Sequence, residues 1–276
     1  SVQAALTVVI PESPEAEAQG WKDLQSATEF GEKVGMRLSH AIYAVVASIK
    51  SMGFSTAGIT AEDGGYIVEG DIFIPAAELK RNLGGQLLRV GSTEQYRTTN
   101  LVTGLPRVIT VALTSKIKAS VYGPVLDEVV RRYNAQGLQI TLQRVTSGAN
   151  ITFDNASGSY LASAGFPTAS GNPHNLVKVN TRAIGSGTSA AFINYAATIF
   201  AHELGHCIGF RHTDYMDRSY SCGGAVSNEG ASTVGAILIP GTPAAADPNS
   251  FMLACIGSGV NRPFNANDVT ALNYLY

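Results

Sequence analysis

The sequence predicts an α+β protein in two parts, a smaller amino-terminal segment over residues 1–100 and a larger part over 101–276 in which strands and helices follow one another. Three observations carry this expectation. Apolar residues recur at spacings of three and four from Ala27 to Lys50, the period of an amphipathic helix. Residues 107–154 read in the order strand, helix, strand, strand. A polar stretch from Gly91 to Asn100, with Arg89 and Arg97 as expected cut points, separates the two parts.

The elements follow in order. An acidic, Pro-containing lead from Pro11 to Glu17 is expected to be extended, and Gly53 is placed to stop the first helix. Gly64-Gly65 turns the chain into a β-rich run, Tyr66–Pro75, which Gly70-Asp71 interrupts at a point where the backbone can bend and present a carboxylate. Strands are expected at Arg107–Leu113, Leu138–Val145, Asn150–Asp154 and Leu176–Asn180. Helices are expected at Val121–Asn134, Tyr195–Gly209 and Asn267–Leu275, with a Gly/Pro-rich segment of little regular structure before the last.

Composition excludes several classes of function. Hydrophobic residues make up 45% of the 276 and charged residues 14%, well below the average charge of about 25%, so the chain can bury a core and function must come from a folded site. With 19 basic against 21 acidic residues and no Lys/Arg-rich run, nucleic acid is not an expected partner. No apolar stretch approaches the roughly 18 residues of a membrane span. Ser1 opens without a basic and apolar leader, and the low charge with many small polar residues points to a secreted protein whose signal peptide has been removed. A monomer is expected, since no heptad pattern is sustained.

One run carries the chemistry: H-E-L-G-H-C-I-G-F-R-H, His202 to His212. Four residues turn an α-helix by about 400°, so His202 and His206 project from one face and reach one ion. His212 could not join them on the same helix, because ten residues rise about 15 Å while zinc bonds nitrogen at about 2.0–2.1 Å. The helix must therefore stop, and Gly209 stands where a left-handed residue stops it. Three imidazoles leave one tetrahedral position open, and Glu203 stands beside the first ligand as the general base. Closed structural zinc sites take four protein ligands, mostly thiolates, which this run does not supply.

The run resembles those of the metzincin clan, most closely the bacterial dual-action HEIGH metallopeptidases, a group similar to astacins. Further matches are H-T-D at His212–Asp214, I-P-G-T at Ile239–Thr242, D-P-N-S-F-M at Asp247–Met252 and V-E-G-D-I at Val68–Ile72. The resemblance implies a two-lobed catalytic domain with a twisted mixed sheet, an active-site helix and a C-terminal helix, a Zn2+ cofactor, polypeptide substrates and hydrolysis by metal-activated water. It implies that Met252 is the methionine of the turn beneath the ligands. It implies that Asp71, in a segment similar to the F-x-G-D of astacin propeptides, is the zinc ligand of a latent form, with residues 1–100 a prosegment removed by an activating protease. Astacins carry a catalytic tyrosine two residues after that methionine; here the position is Ala254. They also carry a glutamate after the third histidine, where this chain has Thr213 and then Asp214, read here as a carboxylate orienting His212.

The remaining readings are plainer. His174 and His40 read as surface residues. Of three cysteines at most one pair can bond: Cys207 with Cys222 would tie the motif helix to the following loop, the alternatives being Cys222 with Cys255 or three buried thiols. The segment Tyr160–Pro167 is expected as the cleft rim along which substrate adds as a strand. The rival functions are a catalytically silent zinc-containing binding or adhesion protein, against which Glu203 argues, and a hydrolase of non-peptide amides.

Overall fold

A computed structural model describes residues 35–56, 58–79, 95–226, 228–229, 235–243 and 247–276. The expected lead, the first residues of the expected first helix, and Arg89 lie outside them. The chain divides into two compact units, Ser1–Leu87 with Glu229–Thr233, and Leu88–Asn228 with Val234–Tyr276.

The first unit begins with helix α1, Gly35–Ser51, which buries Val46 and Ile49. Gly53 ends it at φ 85°, with Phe54 N–H bonded to the Ile49 carbonyl and Gly53 N–H to that of Lys50. Strands β1 (Thr60–Glu62), β2 (Gly65–Val68) and β3 (Ile72–Pro75) form an antiparallel meander, followed by the single turn α2, Ala76–Leu79. Ile67, Val68, Ile72 and Ile74 are its buried residues.

The second unit holds the main core. Its elements are β4 (Tyr96–Arg97), β5 (Arg107–Leu113), α3 (Ala119–Asn134), β6 (Ile140–Arg144), β7 (Ile151–Asn155), β8 (Ala162–Ala164), β9 (Leu176–Val179), α4 (Thr181–Ile184), α5 (Ala190–Cys207), α6 (Ser219–Cys222), β10 (Ile237–Leu238) and α7 (Ala266–Leu275). The strands run in the order β8, β9, β7, β5, β6, parallel except β8, which pairs antiparallel with β9. The fold is mixed α+β, as the sequence predicts, and the strand limits differ from the expected ones by at most two residues at each end.

Alternation explains how the sheet meets its helices. Ile109 and Val111 of β5, Ile151 and Phe153 of β7, and Val177 and Val179 of β9 are fully buried. They share one apolar cluster with Val125, Leu126 and Val129 of α3 and Ala196, Phe200 and Leu204 of α5. Phe200 stacks on Phe153, ring centres 4.7 Å apart, and the Tyr133 hydroxyl donates to the Ala201 carbonyl at 2.8 Å. These contacts fix α5 against the core along its length and so fix what its last turns carry.

The division expected after residue 100 falls inside this unit. β4 pairs with β10, Arg97 bridges to Phe210, and Thr98 N–H donates to the Gly209 carbonyl at 2.8 Å, so residues 95–100 belong to the second unit and Arg97 is part of a strand. Pairing with β10, Gly209 and Phe210 takes up backbone groups of residues 96–98. No described helix is long and apolar enough to cross a membrane.

Candidate metal centre

Helix α5 starts five residues earlier than the apolar pattern indicates because Ser189 caps it, its hydroxyl accepting from Phe192 N–H at 3.2 Å. It ends in the geometry that the glycine argument requires. Phe210 N–H bonds back to the Gly205 carbonyl at 2.9 Å and Gly209 N–H to that of His206 at 2.9 Å, with Gly209 at φ 110°. A side chain at Gly209 would also meet Leu101 Cδ2 at 2.7 Å. Beyond the turn, the Arg97 bridge and an Arg211 N–H bond to the Tyr96 carbonyl at 2.9 Å carry the chain back toward the helix, delivering His212.

The three imidazoles converge. His206 Nε2 lies 3.1 Å from His202 Nε2 and 3.2 Å from His212 Nε2, and all three side chains are buried. The Nδ1 of His202 faces the Phe251 carbonyl at 2.9 Å and that of His206 faces the Phe210 carbonyl at 2.8 Å. A carbonyl only accepts, so both Nδ1 atoms carry the proton and both Nε2 atoms present lone pairs to each other. Lone pairs held face to face at this distance repel unless a cation lies between them. Zinc with nitrogens at about 2.0–2.1 Å in tetrahedral geometry separates them by about 3.3–3.4 Å, close to the spacing found, so the donor set fits zinc.

The floor beneath the ligands is the turn at Ser250–Leu253. Met252 is fully buried, and its sulfur packs so closely on Gly205 that a Cβ there would lie 2.5 Å from it. The Met252 carbonyl accepts from Thr213 N–H at 3.0 Å, tying the turn to the residue after His212. Phe166, just past β8 and inside the expected rim, sets its ring edge-on to His206 at 5.5 Å. Glu203 is buried on α5, one residue beyond the first ligand. Asp71 stands in the first unit after Glu69 (φ 53°) and Gly70 (φ 90°), the left-handed residues that join β2 to β3.

Three sequence expectations change. The disulfide joins Cys222 to Cys255, not Cys207 to Cys222. Cys207 stands in the last turn of α5 inside the main core, where burial pushes its thiol well above the ordinary range, while Cys222 ends the exposed turn α6 beside the segment after Met252. Asp214 does not orient His212: its carboxylate accepts from Ala254 N–H at 2.9 Å and from the Ser221 hydroxyl, bracing the exit of the Met252 turn. His174 is half-buried and not a surface residue: its ring packs behind Gly165 and its backbone N–H donates to the Cys207 carbonyl at 3.0 Å, and burial pushes its pKa down to about 4. The side chain of His40 lies outside the described residues.

Sequence reasoning missed Asp268, the N3 residue of α7, whose carboxylate bonds Gln95, Ser250 and the Phe251 amide. The spacing Asn265-x-x-Asp268 before an apolar helix was the available signal, although it announces a cap and says nothing of the longer bonds.

The profile of the dual-action HEIGH metallo-peptidases matches residues 66–276. This chain belongs to that family. It is thus a zinc metallopeptidase, and the match takes in the Asp71 segment as well as the histidines. Two solved structures of myroilysin resemble the HEIGH peptidase at 17% identity and TM-score 0.39, one over 64% of this chain and 96% of its own, the other over 70% and 99%. The GM1-bound form of the ECX AB5 holotoxin matches at 15% identity over 46% of this chain and 66% of its own, with TM-score 0.33. No curated protein matches.

Proposed function

We propose that the chain is a metzincin-type endopeptidase that cuts extended polypeptides with Glu203 as general base, and that the full chain is its latent form. The observation that carries the reading is the convergence of three Nε2 atoms beside a buried carboxylate on the helix that carries two of them. Zinc bound there supplies Lewis acidity, lowering the pKa of water and polarising a carbonyl. Glu203 takes the proton from the attacking water and passes it to the leaving amine. Gly209 and the Phe210 and Phe251 carbonyls hold the imidazoles in the tautomer and orientation that leave one face free for substrate. The rim from Tyr160 to Pro167 pairs with substrate as an added strand, and Phe166 beside His206 supports that placement.

Latency rests on Asp71. A carboxylate is a good zinc ligand, and two consecutive left-handed residues, Glu69 and Gly70, make a tight loop able to present it in a narrow cleft. In this reading Asp71 takes the coordination position that water needs, the segment before about Leu88 is removed by an activating protease, and the enzyme is secreted and monomeric. The test is zinc content and casein cleavage of the full chain, of a chain beginning near Leu88, and of full-length Asp71→Ala. Zinc in all three, with cleavage confined to the last two, supports the peptidase and latency readings together. Equal cleavage by all three would remove the latency reading, and zinc without cleavage in any would favour a binding protein.

A further inference from the structure

Helix capping leaves much of the bonding at one buried carboxylate unexplained. Asp268 stands in the first turn of α7 with no exposed surface, and it completes a capping box by accepting from Asn265 N–H at 3.0 Å. The same carboxylate accepts from Gln95 Nε2 at 2.7 Å, from the Ser250 hydroxyl at 2.8 Å and from Phe251 N–H at 3.2 Å. Each of these groups donates, so the ionised form is the one that fits. Phe251 is the important partner. Its N–H points at Asp268, while its carbonyl takes the Nδ1 proton of His202 at 2.9 Å.

We propose that Asp268 is a positioning residue of the metal centre: by clamping Ser250 and Phe251 it holds the Phe251 carbonyl on His202 and sets how tightly that imidazole serves zinc. The charge is relayed through Ser250, whose hydroxyl donates to Asp268: the Met252 N–H that the Ser250 oxygen takes shares one peptide group with the Phe251 carbonyl, so negative charge at Asp268 strengthens that carbonyl as the acceptor for His202. Ser250 shares in the clamp, its oxygen also accepting from Met252 N–H at 3.1 Å. Burial pushes the carboxyl up to about 6. A charge is therefore kept here against a desolvation penalty that capping alone does not require. The inference rests on zinc being held by the three histidines.

The experiment measures the zinc dissociation constant by competition with a chromogenic chelator, and the melting temperature of the metal-free protein, for the full chain, Asp268→Asn and Ser250→Ala. The expected result is zinc bound about 10-fold or more weakly by Asp268→Asn, and a few-fold more weakly by Ser250→Ala, in line with losses of orienting partners elsewhere. A lower melting temperature with an unchanged zinc constant in Asp268→Asn would overturn the proposal and leave Asp268 a helix cap. If Asp268→Asn does not fold, Ser250→Ala decides in the same way. Failure of the unaltered chain to bind zinc would overturn the metal centre, and the relay with it.

Discussion

The two walls that meet at the metal are built on opposite principles. The α5 wall is local: His202 and His206 share a helix face, and the bonds that end the helix span only residues 205–210. The Met252 wall is assembled from afar. Gln95 reaches Asp268 across 173 residues, Asp214 reaches Ala254 across 40, and the disulfide closes a separation of 33. Local bonds form wherever the spacing occurs, whereas remote bonds form only once the core has brought their partners together. The first wall should therefore respond to backbone changes at a single position, and the second to the ionisation of Asp268 or the loss of the cross-link.

The largest effect is expected at Gly209. Gly209→Ala places a side chain at φ 110° and 2.7 Å from Leu101 Cδ2. Strain and overpacking together should cost about 4 kcal/mol. Thermal unfolding checks the value, and the variant should lose zinc because His212 is no longer returned to the helix.

Next in size is a pH effect on the second wall. Burial raises Asp268 from its ordinary 3.8 to about 6, so between these values the folded state holds the proton more tightly than the unfolded state. Its contribution is fully present below about pH 4 and is lost as pH rises through about 6, an amount on the order of 3 kcal/mol. The stability of the metal-free protein relative to Asp268→Asn should therefore fall from pH 4 to pH 7. Denaturant titrations of both proteins in a chelator isolate this term from the histidines they share.

Reducing the Cys222–Cys255 bond should lower stability by about 2–3 kcal/mol. Because Cys255 N–H also donates to Ser221, the partner of Asp214, melting with and without reductant should show the loss, and limited proteolysis should find new cuts between 222 and 255. The smallest effect belongs to Ser189→Ala, at the far end of α5, which should cost about 1 kcal/mol and leave the zinc constant unchanged. A zinc loss there as large as at Gly209 would break the distinction between local and remote construction.

The same difference explains what the sequence discloses. The converging histidines and the helix-ending glycine could be read because their spacings are those of one helix and one turn. So could the strands of the sheet, whose buried residues alternate. The Cys222 pairing and the roles of Asp214 and Asp268 could not be read, because each depends on which loop folds against which. The pairing of residues 96–98 could not be read for a related reason: their partners, β10 and the residues Gly209 and Phe210, lie more than 100 positions away in sequence.

The central claim, a zinc centre served by Glu203 as base, is tested most directly by measuring zinc content and casein cleavage of Glu203→Gln beside its parent, both as chains beginning near Leu88. The account predicts equal zinc and a fall in cleavage of about 10³-fold or more. Undiminished cleavage by the variant, or a parent that cuts casein without zinc, would contradict it.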